Sequence, residues 1–341
     1  MYVWLAFIAL ILCFLALDLG VFHRHSRVVS PREGFAWSLV WMALALVFAA
    51  VIYGVYEYKW SGLGLHPDPA ERTAALPEGL VNDGANAVLK YLTGYVVELS
   101  LSVDNMFVIA MLFRFFAVPG AYQHRVLFWG ILGALVMRGV MIGIGTQLIA
   151  HFAWTLYLFG IFLVGTGVRM LFMPSTEADP GQSTLVRIIR RWLPVSASYH
   201  GDRFLIRDAA GALLLTPLAV TLLLVEATDL LFAVDSIPAI LAVTGDPFLV
   251  FASNAFAILG LRSLYFALAG ALDTFQYLKV SLALVLVMIG AKMLAHGWLR
   301  EALGEHYHVY VLAAVVVILA SGVAASLWLK APHEAGRTEL E

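Results

Sequence analysis

Nine windows of this chain are each long and apolar enough to cross a lipid bilayer, and no other feature limits the fold as strongly. Spanning roughly 30 Å of hydrocarbon takes about 20 apolar residues in a helix. Such windows fall at about 2–22, 36–56, 91–113, 126–149, 152–173, 212–237, 247–270, 276–296 and 309–329. Because lipid offers no partner for a backbone N–H or C=O, segments of this kind must be helices. The expected fold class is therefore all-α: a polytopic membrane protein of about nine transmembrane helices, forming one integral domain over 1–341. Only 13% of residues are charged, against about 25% in soluble proteins. The lipid bilayer is the expected partner and nucleic acid is not. Cys13 is the single cysteine, which rules out an intrachain disulfide and a thiolate metal cluster. The first window carries no charge before Asp18 and is expected to be a retained helix, not a cleaved signal.

Basic residues in the connections set the orientation. Thirteen lie after helices one, three, five and seven and in the C-terminal tail: Arg24, Arg27, Arg32, Arg114, Arg125, Arg187, Arg190, Arg191, Arg203, Arg207, Lys279, Lys330 and Arg337. The other side holds four, Lys59, Arg72, Lys90 and Arg300. The positive-inside rule then expects the N-terminus outside and the C-terminus in the cytoplasm.

Two acidic segments sit deep in the apolar sequence, Glu98-Leu-Ser-Leu-Ser-Val-Asp104-Asn105 and Glu226-Ala-Thr-Asp229-Leu-Leu-Phe-Ala-Val-Asp235-Ser236. Overlaying them pairs Glu98 with Asp229, Asp104 with Asp235, Arg138 with Arg262, and Val164-Gly-Thr-Gly167-Val-Arg169 with Val287-Met-Ile-Gly290-Ala-Lys292. Two three-helix repeats follow, 87–173 (helices three to five) and 212–296 (helices six to eight), joined by a cytoplasmic linker, 174–211. An odd number of spans per unit makes the repeats inverted, the architecture in which transporters place a binding site near the midplane. Helices one, two and nine lie outside the repeat and are expected at the periphery. In the linker, Leu185 to Leu193 is basic and apolar, suited either to an anionic leaflet or to a solvated tether. The outer loop 57–90 is read as irregular, with no site.

An acidic side chain at mid-membrane costs roughly 2.5 to 3.5 kcal/mol, so Glu98, Asp104, Glu226, Asp229 and Asp235 together would cost on the order of 15 kcal/mol uncompensated. On an ideal helix Glu98, Ser102 and Asn105 share one stripe, and so do Asp229, Ala233 and Ser236, while Asp104 and Asp235 point about 120° away. Bringing all the acids to one ligand needs local unwinding, and Pro238 marks a place for a break. The donor set is oxygen only, with Asn105, Ser102 and Ser236 beside the carboxylates, which favours Mg²⁺, Mn²⁺ or Ca²⁺ over zinc or copper. Arg138 and Arg262 offset part of the charge; a dication and protons could take up the rest, making metal and protons the expected transported and coupling ions. The competing account is that the acids only pair with the two arginines to lock the fold.

Weaker signals surround this constellation. Asp18 is either a further ligand or gate residue of the site or an interfacial acid bonded to a neighbouring helix, and Asn254 either joins the site or bonds another helix. His306 and His308 look like loop histidines more than a metal pair. Gly139 with Gly143, and Gly160 with Gly165 and Gly167, read as close helix packing. The Gly-x-Gly-Asp pattern of intramembrane aspartyl proteases is absent, so no enzyme activity is expected.

The doubled acidic segments resemble the TerC family, its Alx-type members in particular, and the opening Leu17-Asp18-Leu-Gly-Val-Phe-His23-Arg24 is similar to the same group. The resemblance runs over nearly the whole chain. It implies a bacterial inner-membrane protein of a family linked to tellurite resistance, with Alx-like members exporting manganese, and it assigns Glu98, Asp104, Glu226, Asp229 and Asp235 to the Mn²⁺ path. The expectation is export of a divalent ion by alternating access, with no tightly bound cofactor. A membrane partner that supplies metal to exported enzymes, or acts in envelope stress, is the alternative.

Overall fold

The computed structural model describes residues 2–22, 30–71, 79–152, 154–172, 194–196, 198–207, 211–268, 277–295, 298–299 and 307–328. Arg24, Arg27, Arg72, Arg187, Arg190, Arg191, Arg300, His306, Lys330, Arg337 and the stretch 185–193 lie outside the described residues, as do the side chains of Asp18, Asp104 and Lys279.

Among the described residues the chain forms nine α-helices: α1 Tyr2–Phe22, α2 Pro31–Glu57, α3 Gly84–Phe115, α4 Gly120–His151, α5 Trp154–Phe172, α6 Pro217–Leu241, α7 Pro247–Leu268, α8 Leu278–Leu294 and α9 Tyr307–Trp328. Seven are long and apolar enough to cross a membrane; α1 and α8 hold shorter apolar stretches, Tyr2–Leu17 and Val280–Leu294. The chain is an all-α polytopic membrane protein.

Polar caps fix where the helices begin. The Ser30 hydroxyl accepts from Glu33 N with Pro31 in the first turn, the Asp83 carboxylate accepts from Asn86 N, and Thr216 accepts from Ala219 N ahead of Pro217. Each satisfies a backbone donor that the helix cannot. The Asp83 cap starts α3 well before residue 91, the start suggested by hydropathy, so Lys90 belongs to the helix and not to the outer loop. Pro238 lies inside α6, which continues to Leu241. The break expected there does not occur, and the acids of α6 keep straight-helix geometry.

Helix α7 is the buried centre, covered along most of its length from Phe248 to Tyr265. Helices α2, α3 and α4 pack along it. Phe7, Phe48 and Phe256 interlock α1, α2 and α7, with ring centroids 5.3 Å apart for Phe7–Phe48 and 4.7 Å for Phe48–Phe256. Helix α2 thus packs against both α3 and α7 and is not peripheral, and α9 lies along α3 and α8.

The most extensive helix pairing joins α5 to α8. It is built on small residues. A Cβ at Gly290 would lie 2.8 Å from Gly160 O, and one at Gly167 would lie 2.7 Å from Ala283 O. As position 160 meets 290 and 167 meets 283, the helices run antiparallel, and the two contacts exchange when Gly167 is overlaid on Gly290 and Gly160 on Ala283. Helices α3 and α6 are also antiparallel: Gly94 packs near Ile240, while Asn105 bonds Asp229 at 2.8 Å.

The described part of the linker is more than a tether. Strands β3 (Leu205–Arg207) and β4 (Leu213–Leu215) pair antiparallel, after the two-residue strands β1 (Pro67–Asp68) and β2 (Leu80–Val81) of the outer loop. The Tyr199 hydroxyl donates to Phe116 O at 2.6 Å, Arg125 pairs with Asp202, and the Arg125 guanidinium stacks 5.1 Å from the Phe204 ring. These contacts hold the segment against the turn between α3 and α4.

Backbone approach at the α5–α8 seam leaves no room for a methyl group, whereas Gly143 and Gly165 face open space. Gly290→Ala is expected to cost about 1–3 kcal/mol by overpacking. Thermal unfolding in detergent should show a lower midpoint for Gly290→Ala and no loss from packing for Gly165→Ala.

Candidate functional site

Arg138, midway along α4, reaches into the interface of α3, α6 and α7 and gathers the polar residues of three helices. It is 2% exposed and Glu98 is fully buried. Nη1 donates to Glu98 Oε1, to Asn254 Oδ1 at 2.9 Å and to Ser236 Oγ at 3.3 Å; Nη2 lies 3.4 Å from Asp229 Oδ1. The Ser102 hydroxyl donates to Glu98 Oε1 at 3.2 Å, one turn along the same helix. The Asn105 amide donates to Asp229 Oδ1 at 2.8 Å. The stripes read from the sequence therefore meet face to face, and Asn254 joins them.

One guanidinium faces two carboxylates here, leaving a formal charge of about −1 in a setting where unpaired charge is costly. The acids are also only half-satisfied. Glu98 Oε2, Asp229 Oδ2 and Asn105 Oδ1 are buried and, among the described residues, receive no hydrogen bond. Buried acceptors without protein donors are rare in folded proteins and call for a water, an ion or another ligand.

The other acids lie around this cluster, not in it. Asp235 is half-buried toward α5, where the Thr166 hydroxyl and Arg169 guanidinium face its carboxylate. It still lines one cavity of about 30 Å³ with Ser102, Asn105, Arg138 and Ser236, enough for one or two water-sized species. Glu226 lies against α4, so close that a Cβ at Gly133 would fall on its carboxylate. Arg262 is buried on α7 and lines a separate cavity of about 20 Å³ with Asp229. Asp104 belongs to α3, its side chain outside the described residues. Among the described residues, no three His, Cys, Asp or Glu side chains close on one point tightly enough to hold a metal.

A second buried ionic cluster lies at the end of the molecule where the outer loop sits, which sequence reading took as having no site. Asp68 accepts from Ala70 N (2.9 Å), Gly245 N (2.6 Å), Thr244 Oγ1 (2.5 Å), Lys90 Nζ (2.8 Å) and Asn82 Nδ2 (3.4 Å). Lys90 also donates to Asn82 Oδ1 at 2.6 Å and pairs with Glu71 at 3.1 Å. His308, far from being a loop residue, is buried in the first turn of α9 with Nε2 3.1 Å from Glu71. Burial pushes the Asp68 carboxyl up, but the Lys90 ammonium and the hydrogen bonds outweigh it and hold the group below its ordinary range. Burial likewise opposes the Glu71 charge, yet Lys90, His308 and Lys292 hold its carboxyl well below the usual value. The Asp, Glu and Pro residues of the loop carry no periodic signal, and the lysine that pairs with the two acids lies beyond the loop, in α3.

Comparison with known proteins places these features in context. The integral membrane protein TerC family model matches residues 83–334, which contain every residue of the Arg138 cluster. An "Uncharacterized membrane protein STKORF319" of Myxococcus xanthus is 48% identical over 290 residues, 85% of this chain and 82% of that protein. The "Putative membrane-bound redox modulator Alx" of Photorhabdus laumondii is 41% identical over 96% of this chain and 94% of its own length, and the Escherichia coli K12 protein of the same name is 41% identical over 98% and 97%. No solved structure matches.

Removing one partner of a buried pair leaves uncompensated charge, at a cost of about 3–5 kcal/mol. Lys90→Met should lose that much at pH 7 in unfolding measurements in detergent. Because the paired acids titrate below their unfolded values, the wild-type advantage should persist through neutral pH and shrink only as pH falls below about 4. A gap that is unchanged at pH 3 would assign the loss to packing instead of charge.

Proposed function

This chain belongs to the TerC family of integral membrane proteins, and on that premise we propose that it is a carrier, not an enzyme, which exports a hard divalent cation, Mn²⁺ foremost, from the bacterial cytoplasm. The observation that carries the reading is the meeting of counterpart acids, Glu98 and Asp229, in one buried cluster whose outer oxygens lack donors. Hard dications take oxygen ligands. Glu98 Oε2, Asp229 Oδ2 and Asn105 Oδ1 supply three, and Ser102, Ser236 and Asp235 on the adjoining cavity extend the set.

Antiparallel contact of α3 with α6 and of α5 with α8 supports two inverted halves working by alternating access about this cluster. With the N-terminus outside, as the basic residues suggest, the Asp68–Lys90–Glu71 cluster lies at the outer end, and release outward requires it to part. Either protons or a side-chain cation can supply the counter-charge for carboxylates that the metal leaves behind.

A second reading takes its motive from relatives named as redox modulators. Cys13 is the only cysteine, so a dithiol–disulfide couple within one chain is excluded. A redox effect would instead pass through metal supply to other proteins, making this chain a membrane partner in metal delivery. It predicts that the isolated protein in liposomes moves no ion.

Glu98→Gln and Asp229→Asn are each expected to reduce protection against excess manganese to that of cells lacking the protein, with membrane abundance unchanged and cellular manganese raised. Glu226→Gln, outside the cluster, should have the smaller effect. Wild-type resistance in both of the first two variants would remove the site.

A further inference from the structure

Arg138 occupies the two carboxylates that a dication would need. Its Nη1 is bound to Glu98 and its Nη2 faces Asp229, so the guanidinium lies between counterpart acids of the two halves. What remains open on each acid is the oxygen turned away from the arginine. A guanidinium is charged at every physiological pH and cannot stop being a cation when another arrives.

We propose that Arg138 is a tethered counter-cation, which holds Glu98 and Asp229 in the empty carrier and withdraws from them when a divalent ion binds, so that the two occupy the pair in turn. This rests on the export reading above. Charge makes the occupancy exclusive. Glu98 and Asp229 carry −2 formally: a dication alone neutralises them, the guanidinium alone leaves −1, and both together leave +1 with two cations crowded in a low-dielectric site. With neither, −2 stays buried, which the membrane interior strongly disfavours.

The structure also gives the guanidinium somewhere to go. Arg138 lines the cavity of about 30 Å³ that half-buried Asp235 shares, so a side-chain swing toward α5 brings within its reach a second carboxylate, one that Arg169 and Thr166 also face. Asp235, placed off the acid stripe by the straight course of α6, is thus the receiving partner. Glu226 lies against Gly133 of α4 and Arg262 lines the other cavity with Asp229, so neither lines that cavity.

Net export requires the empty carrier to return, while exchange of one ion for another does not. If Arg138 supplies the counter-charge for the return, its loss stops net movement and spares exchange. The full-length protein in liposomes, with radioactive Mn²⁺ as the probe, tests this. Arg138→Gln is expected to reduce net Mn²⁺ efflux to background, keep Mn²⁺/Mn²⁺ exchange, and bind Mn²⁺ at least as tightly as wild type. Arg138→Lys, which keeps the charge, should restore part of the net flux. Loss of both fluxes together in Arg138→Gln, or retention of both, would overturn the tethered-cation role.

A measurement on the unaltered protein covers the case in which Arg138→Gln does not accumulate. Wild-type net efflux should persist when the proton gradient is collapsed, because the arginine and not protons neutralises the returning pair. Efflux that stops with the gradient would assign the return to protons. Wild-type vesicles carrying neither flux would reject the export reading itself, an outcome distinct from a selective failure of Arg138→Gln.

Discussion

A carboxylate withdrawn from water must find positive charge or donors close by, and the described ion pairs among buried residues meet that demand across elements distant in sequence. Arg138 of α4 serves Glu98 of α3 and Asp229 of α6; Lys90 of α3 serves Asp68 and Glu71 of the outer loop. The cost of leaving any of these groups alone exceeds the worth of most single packing contacts. Electrostatic pairing therefore fixes the register in which apolar helices, themselves nearly indifferent to rotation, come together.

The two clusters solve the same problem to different degrees. Asp68 receives five donors over its two oxygens, which leaves it little capacity for anything else. Among the described residues, Glu98 and Asp229 each have one oxygen engaged and one without a donor. Completeness of satisfaction separates a structural clasp from a candidate site more sharply than charge or burial does, since both clusters are buried and both are ionic. A fully bonded carboxylate gains nothing from an incoming cation, whereas a half-bonded one in low dielectric gains a ligand's full interaction.

The helices and the stripe of site residues were legible because both depend on local periodicity. Length and hydropathy located nine spans, and the i, i+4, i+7 spacing put Ser102 and Asn105 on the face of Glu98, where the structure has them. What depends on distant partners was not legible. Nothing near Asp68 or Glu71 in the chain announces that their lysine lies 22 and 19 positions on, inside a helix, or that His308 of the last helix closes the set. The break expected at Pro238 failed for a local reason: close to the end of α6 a proline removes one helical bond without stopping the final turn. Asp235 consequently stays on its own face, and the acids surround the cluster in place of converging on it.

The two seams between the halves differ in what they permit. At α5–α8 backbone meets backbone through glycine, with no space for a methyl group; such an interface has one good arrangement, and close-packed atoms resist small displacements. At α3–α6 the contact is made by side chains whose hydrogen bonds are incomplete and whose central cation is long and can rotate. Charge-assisted side-chain bonds of this kind can be exchanged without disturbing the helical backbone, and such contacts are where proteins with two states of comparable energy rearrange. The glycine seam therefore resists displacement where the polar seam, held by side chains alone, has more freedom to rearrange.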